Sequence, residues 1–289
     1  QYVAAFLGPS ALGNYRAKRQ GHYPVYPGLY ACRRRCLFRR SSLVLTQCVP
    51  LRKAMLFQVE QANNQFPLHF LDDRLVFPPV ERANDEGLLA VGGDLSFERL
   101  LVAYRSGIFP WFNDDALILW WSPDPRMVLF PEEVHISKSM RKVLNSGRFS
   151  LTKNQCFSEI VDRCARQERK NQEGSWITQN MKQAYGSLFE KGFARSYEVW
   201  EDQELIGGLY GVDLGHLFCG ESMFSKRSNA SKFAFVHLAQ DLAAEGYPLI
   251  DCQVYTAHLE SLGARQISRK EFSTYLKPPH DGDSRSSDR

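Results

Sequence analysis

The first 54 residues contain no aspartate or glutamate, yet they hold ten lysines and arginines, the run Arg33-Arg34-Arg35 among them. The whole chain of 289 residues has 36 basic and 32 acidic side chains and a net charge of +4, so the part from Met55 onward holds 26 basic and 32 acidic residues and nets −6. The weakly basic average is a basic leader joined to an acidic body, and on its own it does not argue for a nucleic-acid partner. An Arg-rich, acid-free leader shares features with organelle transit peptides, but this one lacks an initiator Met and is poor in serine before Ser41. The expectation is that translation starts at Met55 and that residues 1–54 are disordered or not native to the folded body, with a targeting segment as the alternative.

Long apolar runs are missing too. No stretch reaches the roughly 18 uninterrupted apolar residues of a membrane-spanning helix, which excludes a helical integral membrane protein. Regular cysteine spacing is a third absence: Cys32, Cys36, Cys48, Cys156, Cys164, Cys219 and Cys252 are odd in number, and the chain is too large to need disulfide staples. Reduced thiols are expected. Cys32, Cys36 and Cys48 can be drawn with His22 as a metal site, but the spacing fits no common zinc pattern, so no structural metal is expected.

What is present is an ordinary globular composition, 44% hydrophobic and 24% charged, with length enough for one large or two small cores. Between Met55 and Arg126 the chain is rich in proline and aromatics, which predicts short strands and turns around one helix. For that helix, Ser96 is the N-cap, Leu100, Leu101 and Tyr104 recur at helical spacing, and Gly107 follows the end. Beyond Val128 the pattern alternates. Thr178 caps a helix carrying Met181, Ala184, Tyr185, Leu188 and Phe189; strands follow at 194–200 and 205–212, with a return at 216–220. A helix over 231–244 buries Phe235, Leu238 and Leu242, a strand covers 248–254, and Ser268 with Glu271 makes a capping box. This order predicts an α+β sheet domain, with a disordered tail over 278–289.

Three features bear on chemistry. In the apolar strand around Ile250, Asp251 and Gln253 lie two apart and so share a face, about 6.6 Å apart. A carboxylate and a carboxamide side by side in an apolar setting can orient an attacking amine or hold a tetrahedral intermediate, or they can be a buried polar network that fixes the core. Glu221, where the hairpin return ends, is either a carboxylate for an ammonium group or a solvated strand end. Trp111, Trp120, Trp121 and Trp176 flank turns and loops, where tryptophan is either core or a stacking platform for a base. Lys138, Arg141 and Lys142 with His135 fit a helix facing phosphates or plain surface.

Taken together and in order, these segments resemble the leucyl/phenylalanyl-tRNA-protein transferase family. The resemblance runs from about Phe77 to Leu276, through Phe-Pro-Pro-Val-Glu-Arg-Ala (77–83), Gly-Leu-Leu-Ala-Val-Gly-Gly-Asp-Leu (87–95), Gly-Ile-Phe-Pro-Trp-Phe (107–112), Trp-Trp-Ser-Pro-Asp-Pro-Arg (120–126), Trp-Ile-Thr (176–178), Phe-Cys-Gly-Glu-Ser-Met-Phe-Ser (218–225), Asn-Ala-Ser-Lys (229–232) and Ile-Asp-Cys-Gln (250–253). Eight such strings in sequence make coincidence implausible.

The resemblance implies a small α/β N-terminal domain (55–126) followed by a catalytic domain (127–277) of acetyltransferase-like (GNAT-like) mixed-sheet fold. It implies transfer of Leu or Phe, and weakly Met, from Leu-tRNA or Phe-tRNA to proteins with N-terminal Arg or Lys, in the cytoplasm, by a monomer that uses no cofactor. It assigns catalysis to Asp251, Gln253 and Glu221, and the pocket for the transferred side chain to Leu209, Phe218, Phe235, Leu238 and Ile250. Leu209, where other members carry Met, implies little change in Leu over Phe preference. Trp111 and Trp176 fall to the terminal adenosine, and Lys138, Arg141, Lys142 and Arg148 to tRNA phosphates. Here the chain departs from the pattern: Val143-Leu144-Asn145-Ser146-Gly147 stands where the family continues with basic residues, so a weaker grip on tRNA and a shallower salt dependence are expected. Two other readings remain. One is an acyl-CoA-dependent N-acyltransferase, but the Gln/Arg-x-x-Gly-x-Gly/Ala string that would cradle a pyrophosphate is absent. The other is a noncatalytic RNA-binding module, which leaves Asp251 and Gln253 without a purpose.

Overall fold

The computed structural model describes residues 68–112, 117–167 and 177–278. Trp176, the leader and the tail beyond Pro278 lie outside the described residues.

Two sheets organise the chain. The smaller contains β1 (His69–Leu71), β2 (Leu88–Gly92), β3 (Phe109–Pro110) and β4 (Leu119–Trp121) in the order β1-β2-β4-β3. Helix α1 (Phe97–Arg105) lies between β2 and β3 in sequence. It begins where Ser96 Oγ accepts the main-chain N–H of Arg99 and ends before Gly107, whose φ of 71° provides the left-handed turn that stops a helix. Leu100, Ala103 and Tyr104 form its buried stripe.

The larger sheet has seven strands: β5 (Arg126–Leu129), β6 (Ser150–Lys153), β7 (Ala194–Glu201), β8 (Glu204–Asp213), β9 (Phe218–Ser225), β10 (Ile250–Gln253) and β11 (Arg265–Ile267). Their order is β11-β5-β10-β9-β8-β7-β6. Neighbours are antiparallel except β9 and β10, which are parallel. The helices are α2 (Lys138–Leu144), α3 (Phe157–Arg166), α4 (Gln179–Glu190), α5 (Ala230–Ala244), α6 (Ala257–Glu260) and α7 (Arg269–Ser273). The chain is thus the mixed α+β fold that the segment order implied. Among the described residues no helix is long and apolar enough to cross a membrane.

The two faces of this sheet feed two separate cores. Strand alternation sends Leu209, Phe218 and Ile250 to the core shared with Phe235 and Leu238 of α5, and sends Tyr210 and Cys219 to the core shared with α1, α3 and α4. Each such apolar side chain taken fully out of water contributes about 1.5–3 kcal/mol. Close approach of α5 depends on Gly207 in β8, where a Cβ would stand 2.5 Å from that of Ala230. The caps at Thr178 and Ser268 form as expected, accepting the N–H groups of Met181 and Glu271.

Candidate active site

Local irregularities in β9 and β10 build the site, and both correct the sequence reading. The return strand does not end at Gly220; β9 continues to Ser225, and Glu221 lies in its middle, 1% exposed rather than at a solvated end. Against β8, Gly211 pairs with Gly220 while Tyr210 pairs with Ser222, so Glu221 is an extra, bulged residue. Strand β10 is shorter than the expected 248–254, and its pairing with β5 skips Cys252 in the same way: Asp251 faces Val128, and Gln253 faces Met127. Gln253 has φ of 65°. Simple alternation therefore does not describe the relation of Asp251 to Gln253, and the two side chains have different partners. Pairing between β9 and β10 is recorded only at Ile250–Phe218 and Asp251–Cys219, and beyond it the link is made by side chains.

That link is Gln253 Nε2, which donates to Glu221 Oε1 at 3.0 Å. The same carboxylate accepts from Tyr104 Oη of α1 at 2.7 Å and from Tyr185 Oη of α4 at 2.5 Å. Burial pushes the Glu221 carboxyl up to about 7, opposed by its three donors and helped by the charge of Asp251. The two phenols are driven well above their usual range, first by burial and then by the charge of Glu221, so they stay protonated as donors. Tyr104 Oη and Tyr185 Oη are also 3.0 Å apart. Two hydroxyl hydrogens thus face three oxygen–oxygen contacts, which leaves room for one further proton in the cluster. The cluster is built to take up or release a proton near neutrality.

Asp251 is not presented as an open carboxylate. Arg126, the first residue of β5, clamps it through Nε to Oδ1 at 2.8 Å and Nη2 to Oδ2 at 2.7 Å, both residues being 1% exposed. Asp251 Oδ1 also accepts the main-chain N–H of Gln253 at 3.0 Å. The guanidinium lies between the rings of Phe109 and Phe272, 4.8 and 4.7 Å from their centroids. Arg126 Nη1 and Gln253 Oε1 are buried with no hydrogen-bond partner among the described residues. The nearby thiols of Cys219 and Cys252 are pushed far up, by burial first and then by the charge of Asp251, which disfavours a cysteine nucleophile here.

The remaining expected residues fall in three places. Leu209, Phe218, Phe235, Leu238 and Ile250 meet in one core, each fully buried, on the sheet face opposite Tyr104 and Tyr185. Trp111 is 8% exposed, its ring tilted against Trp121 with centroids 5.5 Å apart; its main-chain oxygen accepts from Trp121 Nε1, while its own Nε1 is unpartnered among the described residues. Lys138, Arg141 and Lys142 are exposed on α2 and have no ion pair among the described residues, whereas Arg148 is paired with Glu201 and lies over Phe149. Arg148 thus differs from the three cations of α2 in having an acidic partner.

Arg126, Tyr104 and Tyr185 were not singled out as site residues. The available signals were small: an arginine heading the apolar run Met127-Val128-Leu129, and a tyrosine on the buried stripe of each of two helices, where a hydroxyl needs a partner.

Comparison with known proteins gives a consistent answer. A family model described as leucyl/phenylalanyl-tRNA protein transferase matches residues 128–277, and one for the N-terminal domain of the same family matches residues 93–124. The chain is 58% identical over 210 residues to the leucyl/phenylalanyl-tRNA–protein transferase of Flavobacterium johnsoniae, covering 73% of this chain and 99% of that protein. Its identity to the protein of the same name from Christiangramia forsetii is 54% over 211 residues, covering 72% and 100%. Among solved structures, a GCN5-related N-acetyltransferase from Kribbella flavida has a TM-score of 0.30 and 8% identity over 58% of this chain and 60% of that one, a likeness too slight to carry an argument.

Proposed function

Because this chain belongs to the leucyl/phenylalanyl-tRNA protein transferase family, we propose that it moves Leu or Phe, and weakly Met, from aminoacyl-tRNA to the N-terminal amine of proteins beginning with Arg or Lys, and so marks them for degradation. The observation that carries this reading is the amide of Gln253. Its nitrogen is committed to Glu221, which fixes the amide orientation and leaves Oε1 buried with no donor among the described residues. An unsatisfied buried acceptor costs about 1–3 kcal/mol, which an arriving substrate N–H recovers.

The donor ester is already activated, so the enzyme has to bring an amine to it, deprotonate that amine and stabilise charge on the carbonyl oxygen. Glu221, with its carboxyl near 7, is matched to an α-amino group of pKa about 7.7–8.0, and takes the proton that turns ammonium into nucleophile. Gln253 Oε1 then holds one remaining N–H and aims the nitrogen at the ester carbon. The C–N bond forms, the C–O bond to the tRNA ribose breaks, and the departing oxygen leaves with the proton lost by the amine. The ester provides the driving force, so the reading calls for no cofactor.

In this reading Leu209, Phe218, Phe235, Leu238 and Ile250 select the transferred side chain. Trp111 and Trp176 take the terminal adenosine, and Lys138, Arg141 and Lys142, with Arg148 in a lesser part, take phosphates. The arrangement is acetyltransferase-like, with residues 55–126 as a small N-terminal domain and 127–277 as the catalytic one, acting as a monomer where aminoacyl-tRNA is made, in the cytoplasm.

The test is transfer of labelled Leu from Leu-tRNA to a protein with N-terminal Arg, with Leu-CoA as control donor. Transfer from the tRNA alone is expected, and no transfer to the Arg protein refutes the proposal. Gln253→Ala should lower turnover about 10- to 1000-fold with tRNA binding nearly intact.

A further inference from the structure

We propose that Arg126 is a positioning residue of the transfer reaction: by clamping Asp251 it turns that carboxylate into a fixed acceptor for the Gln253 main-chain N–H, and so aims the Gln253 amide. The inference rests on the transferase reading and concerns how its central amide is held. Three groups act in series. The Arg126 guanidinium grips both oxygens of Asp251 at 2.8 and 2.7 Å, Asp251 Oδ1 receives Gln253 N–H at 3.0 Å, and Gln253 Nε2 reaches Glu221 at 3.0 Å.

Each step answers a physical need. Gln253 stands at φ of 65°, a conformation that non-glycine residues hold only when the surroundings impose it. The Asp251 acceptor supplies part of that imposition, but a carboxylate with 1% exposure is held in place only by a partner of opposite charge and matching geometry. Arg126 provides a two-point grip and is itself fixed between Phe109 and Phe272, so it ties the small sheet, the C-terminal helix and β10 to one point. With both its oxygens engaged inside the protein, Asp251 serves as an anchor and the substrate proton goes elsewhere.

The experiment compares the full chain with Arg126→Gln, Asp251→Asn and the double variant, measuring kcat and KM for Leu-tRNA and hydrogen exchange at the Gln253 amide, with β8 amides as the control for folding. Arg126→Gln should lower kcat about tenfold or more with KM within about twofold, and exchange at Gln253 should quicken about tenfold while β8 stays protected. Added guanidinium should restore turnover to Arg126→Ala. Unchanged kcat, or unchanged protection of the Gln253 amide, overturns the proposal. Should the single variant not fold, the double variant, which removes both charges, decides: it should fold and exceed the turnover of Asp251→Asn severalfold, and no gain over Asp251→Asn overturns the clamp. Absence of transfer by the unaltered chain counts against the transferase reading instead, and the exchange measurement still tests the clamp.

Discussion

Glu221 is one carboxylate among three donors and almost no water, and its proton affinity is set by that imbalance. Its folded value of about 7 lies above the ordinary 4.5, so between those values the folded state binds a proton that the unfolded chain has released. The contribution of Glu221 to stability then falls as pH rises from about 4.5 to about 7 and levels off above it. Glu221→Gln removes the effect. Calorimetry at about pH 5 and about pH 8 should show the unaltered protein losing on the order of 3 kcal/mol relative to the variant, and parallel pH curves would contradict the assignment. Little of this was legible in the sequence. The donors to Glu221 come from residues 117, 36 and 32 positions away, and nothing near Glu221 announces them. Asp251 and Gln253 were visible as polar residues in an apolar strand, but the arginine that fixes one of them was not.

At the scale of elements, what is local was readable and what depends on a neighbouring strand was not. The starts of α1 and α4 follow from a side-chain oxygen three residues before an N–H, and the stop after α1 from a glycine. The bulges at Glu221 and Cys252 exist only in the register with β8 and β5, so a reading by period two ended β9 too early and put Asp251 and Gln253 in plain alternation. Gly211, opposite the first bulge, makes that register possible: a Cβ there would lie 2.3 Å from the carbonyl oxygen of Cys219 and 2.5 Å from the Phe218 ring. Gly211→Ala should therefore cost about 1–3 kcal/mol in urea unfolding, as overpacking does, and should reduce transfer further than its stability loss explains. A variant as stable and active as the parent would show that the strand absorbs the methyl group without moving the bulge.

Over the whole molecule, charge is spread against its average. The body from Met55 nets −6, yet α2 displays Lys138, Arg141 and Lys142 together without an acid of its own. Lys142→Ala should reduce the salt slope of Leu-tRNA binding by about 1, and Arg148→Ala by less, because Glu201 already neutralises it; anisotropy titrations across a range of KCl concentrations measure both, and equal slopes for the two variants would contradict the difference. The two cores extend the same division of labour. Tyr104 and Tyr185, which bond Glu221, belong to the core on one face of the sheet, and the apolar residues assigned to the transferred side chain line the other. An enzyme laid out this way can drift in one property while the other stands still. On the proposed assignment, selection or engineering for a different amino acid would work through Leu209, Phe235 and Leu238 and leave the pH profile unaltered, making the sheet a partition between two traits that evolve separately.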